Sequence, residues 1–190
     1  MNILLLSGSR DRNGRTARAI NAIITGAEKA GAETESFFLP ELKLERCRQC
    51  DENGWGPCRR EGICVVNDDF QMLVEKIKES DVVVFATPVY FRDLSESMKS
   101  FLDKLRRISA FNPEPITKGI SAAGLSMAGG GGGGAVSACM YLESTLQMCR
   151  FDVIDMIPIR RQNFEIKLPM LELTGEWLAT KPTSTTEQPH

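Results

Sequence analysis

Directly after the apolar run Ile3 to Leu6 comes Ser7 to Thr16, SGSRDRNGRT, and an amphipathic stretch begins near Arg15. A short buried strand that passes through small and hydroxyl residues into a helix start is a strand-turn-helix unit of the kind that binds a phosphate. Gly8 and Gly14 let the backbone turn tightly, Ser7, Ser9 and Thr16 supply hydroxyl donors, and the unpaired amides of the following helix attract an anion. Arg10, Arg12 and Arg15 add positive charge. The plainer alternative is an ordinary turn that happens to carry surface arginines.

What the loop lacks narrows the phosphate. A nucleotide-triphosphate loop wants Gly, four residues, then Gly-Lys-Ser/Thr; here five residues separate Gly8 from Gly14, and Arg15 stands where lysine should be. A dinucleotide fingerprint needs three glycines in a fixed spacing and an acidic residue about 20 positions later, and neither occurs. A phosphatase built on a loop cysteine is excluded because the first cysteine is Cys47. A single phosphate ester held by amides and hydroxyls remains, which points to flavin mononucleotide (FMN).

The chain has 190 residues, enough for one domain with a substantial core. Lysine and arginine number 23 against 25 acidic residues, a balance that argues against a general nucleic-acid binder. No stretch approaches the roughly 20 apolar residues of a membrane span, so a cytoplasmic protein is expected. The single histidine is His190, which removes imidazole acid-base, Ser-His and Cys-His chemistry and predicts no catalytic side chain. A redox cofactor meets that condition, because the reaction then takes place on the cofactor.

Strand and helix patterns alternate. Asn2 to Leu6 reads as the first strand, Arg15 to Ala30 as a helix and Glu33 to Leu39 as a second strand. A helix capped by Asn67 or Asp68 would bury Phe70, Leu73, Val74 and Ile77, and the continuous run Val82 to Ala86 fits a central strand covered on both faces. Ser95 starts a helix burying Met98, Phe101, Leu102 and Leu105. Gly119 to Met127 is a fourth strand, Ala135 to Arg150 a helix and Asp152 to Ile159 a fifth strand. Five strands with intervening helices predict an α/β fold with a doubly wound parallel sheet. Residues 1–160 would form this domain, with a cysteine-bearing excursion over 40–66. Residues 161–190 lose the alternation and are expected to be a tail, partly disordered or packed on a partner subunit.

Ligands in such sheets bind beyond the carboxyl ends of the strands. Three unusual segments fall there: the loop after the first strand, Thr87-Pro88-Val89-Tyr90-Phe91 after the third, and Ala128 to Gly134 after the fourth. Pro88 stiffens the second; the amides of Val89, Tyr90 and Phe91 are expected to meet a flavin edge, and an aromatic ring to stack on it. In the third, Gly129, Gly130, Gly133 and Gly134 belong to six consecutive glycines that let backbone approach a planar ligand.

The remaining motif is Cys47-x2-Cys50-x7-Cys58-x5-Cys64, four thiols within eighteen positions. Such a set can enclose a [4Fe-4S] cluster or a tetrahedral zinc, and spacing alone does not choose. Cys139 and Cys149 sit at apolar helix positions and read as core.

Over roughly Met1 to Ile159 the chain resembles the iron-sulfur flavoproteins within the broader NADPH-dependent FMN reductase, flavodoxin-like group. The resemblance rests on SGSRDRNGRT, the cysteine loop leading into Asp68-Asp69, TPVYF, SESMKSFLDK and the glycine run. It implies strand order 2-1-3-4-5, with FMN phosphate held around Ser9, Arg10, Asn13, Arg15 and Thr16, and the ring held by Thr87 to Phe91 and the turn at Ala128 and Gly129. It further implies a homodimer or homotetramer, a [4Fe-4S] cluster on Cys47, Cys50, Cys58 and Cys64, and electron transfer between a reduced donor, NAD(P)H among the possibilities, and an acceptor. The chain departs from the family pattern at Asn53, where a third cysteine is usual, in the inserted Gly54-Trp55-Gly56-Pro57, and at Arg15, where asparagine is common. An NAD(P)H-dependent FMN or quinone reductase without a cluster is the alternative, and a non-enzymatic FMN-binding or zinc-bearing module is another of a different class.

Overall fold

The computed structural model describes residues 1–183. Five parallel strands lie in the order β2-β1-β3-β4-β5, as expected. In chain order the elements are β1 (Asn2–Ser7), α1 (Arg15–Lys29), β2 (Glu33–Phe38), the single-turn α2 (Pro57–Arg60), α3 (Phe70–Lys78), β3 (Val82–Pro88), α4 (Glu96–Ser109), β4 (Ser121–Ala128), α5 (Ala135–Met148), β5 (Asp152–Arg160) and α6 (Phe164–Leu178).

Alternating side chains of each central strand go to opposite faces, and both faces are dry. Leu4, Leu6, Val83 and Phe85 pack with Phe70, Leu73, Phe101, Leu102 and Leu142 from α3, α4 and α5. Ile3, Leu5, Val82 and Val84 pack with Ile20, Ile23, Phe164 and Leu171 from α1 and α6. Burial on both sides is why Val82 to Ala86 carries no polar residue. Edge strand β5 accommodates Pro158, whose missing N–H costs least at an edge, and Ile154 bulges where the register shifts opposite Ala122 and Ala123.

The alternation stops after β5 because the next element is another helix. α6 lies across α1 with backbone against backbone: a Cβ on Gly26 would stand 1.8 Å from the carbonyl oxygen of Glu172, and one on Gly175 would stand 2.0 Å from that of Ile23. Ion pairs Arg18–Glu165 and Lys29–Glu176 flank the crossing. Pro169 inside α6 removes one helical donor and masks the helix in the sequence. So 164–178, expected as tail, closes one face of the core; residues 184–190, with His190, lie outside the described residues.

Candidate functional site

The loop after β1 is folded on itself by short-range hydrogen bonds. Ser9 N–H donates to Ser7 Oγ at 3.3 Å, the Ser9 hydroxyl bonds both the amide and the carbonyl of Asp11 at 3.2 Å, and Asn13 N–H donates to Asp11 Oδ1 at 2.9 Å. The N-cap of α1 is Gly14, which offers no side-chain acceptor, and the first turn holds no acidic residue. The leading amides of a 15-residue helix are therefore left for an anion.

The arginines of this loop divide. The Arg10 guanidinium bonds Glu96 at the start of α4, and Arg12 bonds Glu41 while covering the Phe38 ring at 4.7 Å. Arg12 in turn holds the Glu41 carboxyl below its ordinary range through their hydrogen bond. Arg10, expected at the phosphate, is thus engaged across a cleft with Glu96. Arg15 is exposed and has no carboxylate partner among the described residues, and the hydroxyl of buried Thr16 makes no hydrogen bond within them. Of the expected phosphate ligands, Arg15, Thr16 and the side-chain amide of Asn13 are those whose donors remain open among the described residues.

Sequence reasoning missed a hydroxyl chain that stitches this loop to the next. Ser97 Oγ donates to the Gly8 carbonyl at 3.1 Å, Ser95 and Ser97 hydroxyls lie 3.2 Å apart, and Thr87 Oγ1 accepts the Ser95 amide at 3.0 Å. Ser95 is also the N-cap of α4, its hydroxyl accepting the Met98 amide. The Ser-Glu-Ser at that helix start was the available signal. Thr87, expected to face a ligand, is fully buried and serves this chain.

After β3 the chain makes a tight hairpin. Tyr90 and Asp93 exchange amide bonds at 3.0 Å, and Phe91 (φ 49°) and Arg92 (φ 71°) occupy the left-handed region between them. Val89 N–H donates to the Met127 carbonyl at 3.0 Å. The amides of Val89 and Tyr90 are therefore spent within the protein, and of the three expected at a flavin edge only that of Phe91 is open, with its ring fully exposed. Pro88 ends β3 beside Met127.

The glycine run sits beside this hairpin. Gly132 N–H closes a turn on Gly129 at 2.7 Å, and Gln162 holds the Gly131 carbonyl at 3.0 Å. Gly134 (φ +87°) lies against Arg92, where a Cβ would meet Arg92 Cα at 2.6 Å. Around Gly129, Gly130 and Gly133, by contrast, a Cβ would meet nothing within 4 Å. The loops after β1, β3 and β4 thus form one connected rim, with Ala128 buried below it.

The cysteine excursion is clamped at its stem. Lys43 and Asp69 share two bonds, Asp69 N–H to the Lys43 carbonyl and Lys43 N–H to Asp69 Oδ2, while Glu45 N–H donates to Asp68 Oδ2 at 2.7 Å. Cys47, Cys50, Cys58 and Cys64 all line one cavity, together with Lys104 and Arg107 of α4. Burial pushes the Cys64 thiol up, partly offset by a Val66 backbone bond and by Lys104. All six cysteines are free thiols. Among the described residues, no three cysteine, histidine or carboxylate groups stand close enough to hold a metal ion. Cys139 and Cys149 are buried, as expected, with Cys139 Sγ on the Ser126 hydroxyl at 3.2 Å.

No helix among the described residues is long and apolar enough to cross a membrane. The family model described as NADPH-dependent FMN reductase matches residues 1–166. An iron-sulfur flavoprotein of Methanocaldococcus jannaschii is 30% identical over 131 residues, covering 68% of this chain and 65% of that protein. One of Archaeoglobus fulgidus is 31% identical over 112 residues, 59% of this chain and 47% of that protein. The chain thus spans about half to two thirds of the length of these relatives. Among solved structures, an NAD(P)H:quinone oxidoreductase from Methanothermobacter marburgensis superposes with a TM-score of 0.75 at 20% identity, covering 100% of this chain and 99% of that one. An archaeal flavodoxin gives 0.62 at 15% identity, covering 95% and 98%. With the fold and the strand-end rim in agreement, the chain belongs to the NADPH-dependent FMN reductase family.

Proposed function

We propose that this chain is an FMN-dependent oxidoreductase that passes electrons between a reduced donor and an acceptor, and that Cys47, Cys50, Cys58 and Cys64 hold a [4Fe-4S] cluster. The convergence of three strand-end loops on one rim, next to an uncapped helix N-terminus, carries the flavin part. On this reading, the phosphate is bound by the α1 amides with Ser9, Asn13, Arg15 and Thr16, over buried Ser7. Arg10 takes part only by leaving Glu96. The Phe91 amide and the backbone from Ala128 through Gly129, Gly130 and Gly133 to Gly134 flank the ring. The flavin supplies hydride and single-electron chemistry when bound, and the cluster single-electron chemistry. The protein's part is to bind, orient and shield these groups.

Four free thiols on one cavity match the donor set of such a cluster, and the names of the relatives support it. Ligation requires the loop to draw its sulfurs closer than they stand here. A cluster-free NAD(P)H-dependent FMN or quinone reductase is the second reading, favoured by that separation and by the quinone oxidoreductase neighbour. Exposed apolar side chains on α6 (Ile166, Met170, Leu173) and α5 (Met140, Tyr141) support a homodimer or homotetramer. Free thiols throughout suit the cytoplasm.

Anaerobic purification followed by a visible spectrum, FMN extraction and iron assay tests the reading. Flavin bands with about four iron atoms per chain are expected; flavin without iron leaves the second reading, and colourless protein that refuses added FMN rejects both.

A further inference from the structure

The insertion Gly54-Trp55-Gly56-Pro57 is docked firmly on the end of α4. Arg107 Nη1 donates to the Gly54 carbonyl at 2.5 Å, and the same guanidinium lies 4.6 Å from the Trp55 ring centroid. Arg59 covers the Trp55 ring at 5.4 Å and Phe111 at 4.9 Å, and the two aromatic rings meet edge-on at 5.0 Å. Gly54 (φ +77°) closes a turn onto the Asp51 carbonyl at 2.8 Å. The chain then passes Gly56, where a Cβ would stand 3.1 Å from Cys50 Cβ, before Pro57 begins the turn that carries Cys58.

Seven residues separate Cys50 from Cys58, and a free loop of that length leaves its two ends widely distributed. Here the excess is folded out against α4, so the segment entering Cys58 returns beside Cys50 at Gly56. We propose that Arg107 is a positioning residue for the cysteine set: by gripping both the carbonyl of Gly54 and the ring of Trp55, it brings Cys50 and Cys58 together on the common cavity. This rests on the reading of that cavity as the ligand set, but it concerns the thiols and holds with or without a metal. One guanidinium serves both the carbonyl and the ring, and its planar fork is pre-organised for such a double contact. A lysine ammonium, a point charge on a flexible stem, lacks that planar fork and holds the pair less firmly.

The test uses the full chain, freed of metal and equilibrated in glutathione redox buffers. Two protein thiols become one disulfide as one glutathione disulfide becomes two glutathione thiols, and mass spectrometry measures the Cys50–Cys58 linkage. Its equilibrium gives the effective concentration of the pair. Arg107→Ala is expected to lower it by at least about tenfold, Arg107→Lys to lower it by less, and Trp55→Leu to lower it through the other half of the grip. Unchanged far-ultraviolet dichroism confirms folding of whichever variants are compared. Equal effective concentrations in wild type and all three variants overturn the proposal. Iron uptake on anaerobic reconstitution separates the two claims. A wild type that takes up no iron, yet shows the tenfold difference, retains the positioning role and loses the cluster.

Discussion

Lys104 Nζ lies 2.7 Å from Asp68 Oδ2, and the two side chains are 1% and 0% exposed. Asp68 also accepts the amides of Glu45 and Phe70, so one carboxylate holds the stem of the cysteine excursion, the start of α3 and a buried cation. Lys104 further lies over the Phe70 ring at 4.5 Å. Removing one partner of such a pair leaves an uncompensated buried charge, at a cost of about 3–5 kcal/mol. Lys104→Met should therefore lower the urea midpoint sharply. Adding Asp68→Asn, which neutralises the orphan, should restore more than half of the loss. Urea unfolding of the two singles and the double measures this coupling, and additive losses would contradict it.

Gly8 offers a second coupled pair. A Cβ there would stand 2.3 Å from Ser95 Oγ and 3.1 Å from Met98 Cβ, so Gly8→Ala must displace the N-cap of α4 and with it the bond from Ser97 to the Gly8 carbonyl. Ser95→Ala alone loses a cap worth about 1 kcal/mol. It also removes the atom that the new methyl group would strike. The double variant should thus be more stable than the sum of the singles allows. FMN affinity, followed by quenching of flavin fluorescence on titration, should fall in Gly8→Ala and partly recover in the double.

Much of this was legible because the strands are covered on both faces. Val82 to Ala86 has no polar residue to obscure it, and α1 and α4 each have one wet face, so their periods stand out. α6 hides for the opposite reason: Phe164, Leu171 and Leu178 point inward while Ile166, Met170 and Leu173 are exposed, and apolar residues on both sides erase the helical stripe. In the rim, residue types announced a tight strand-turn-helix loop with an uncapped helix start. Which arginine is open depends on Glu96 and Glu41, which sequence distance conceals, and the fate of the Val89 amide depends on Met127 in the neighbouring strand.

The crossing of α1 and α6 sets two effects against each other. Replacing a mid-helix glycine by alanine ordinarily gains about 1 kcal/mol. At Gly26 the added methyl would sit 1.8 Å from the Glu172 carbonyl oxygen, inside any contact distance, and that atom belongs to backbone. Overpacking costs about 1–3 kcal/mol or more where the neighbour cannot yield, so the net sign is destabilising. Gly26→Ala should lower the urea midpoint and speed hydrogen exchange of α6 amides selectively, since the two helices must separate. Thr25→Ala, on the exposed side of the same turn, should not.

Thiol reactivity follows burial. The nucleophile is the thiolate, and burial pushes Cys149 up to about 12, leaving roughly one part in ten thousand ionised at pH 8. Cys139 is raised too, by burial, against a partial offset from its bond with Ser126. In folded, metal-free protein, iodoacetamide at pH 8 should label exposed Cys50 first and the half-buried Cys47 and Cys58 next. Cys64, whose thiol burial also raises, should follow. Cys139 and Cys149 should react only once urea unfolds the chain. Peptide mapping over time gives the order, and Cys149 labelling at the rate of Cys50 in the folded state would show that the C-terminal end of α5 opens freely, contrary to the dry core described above.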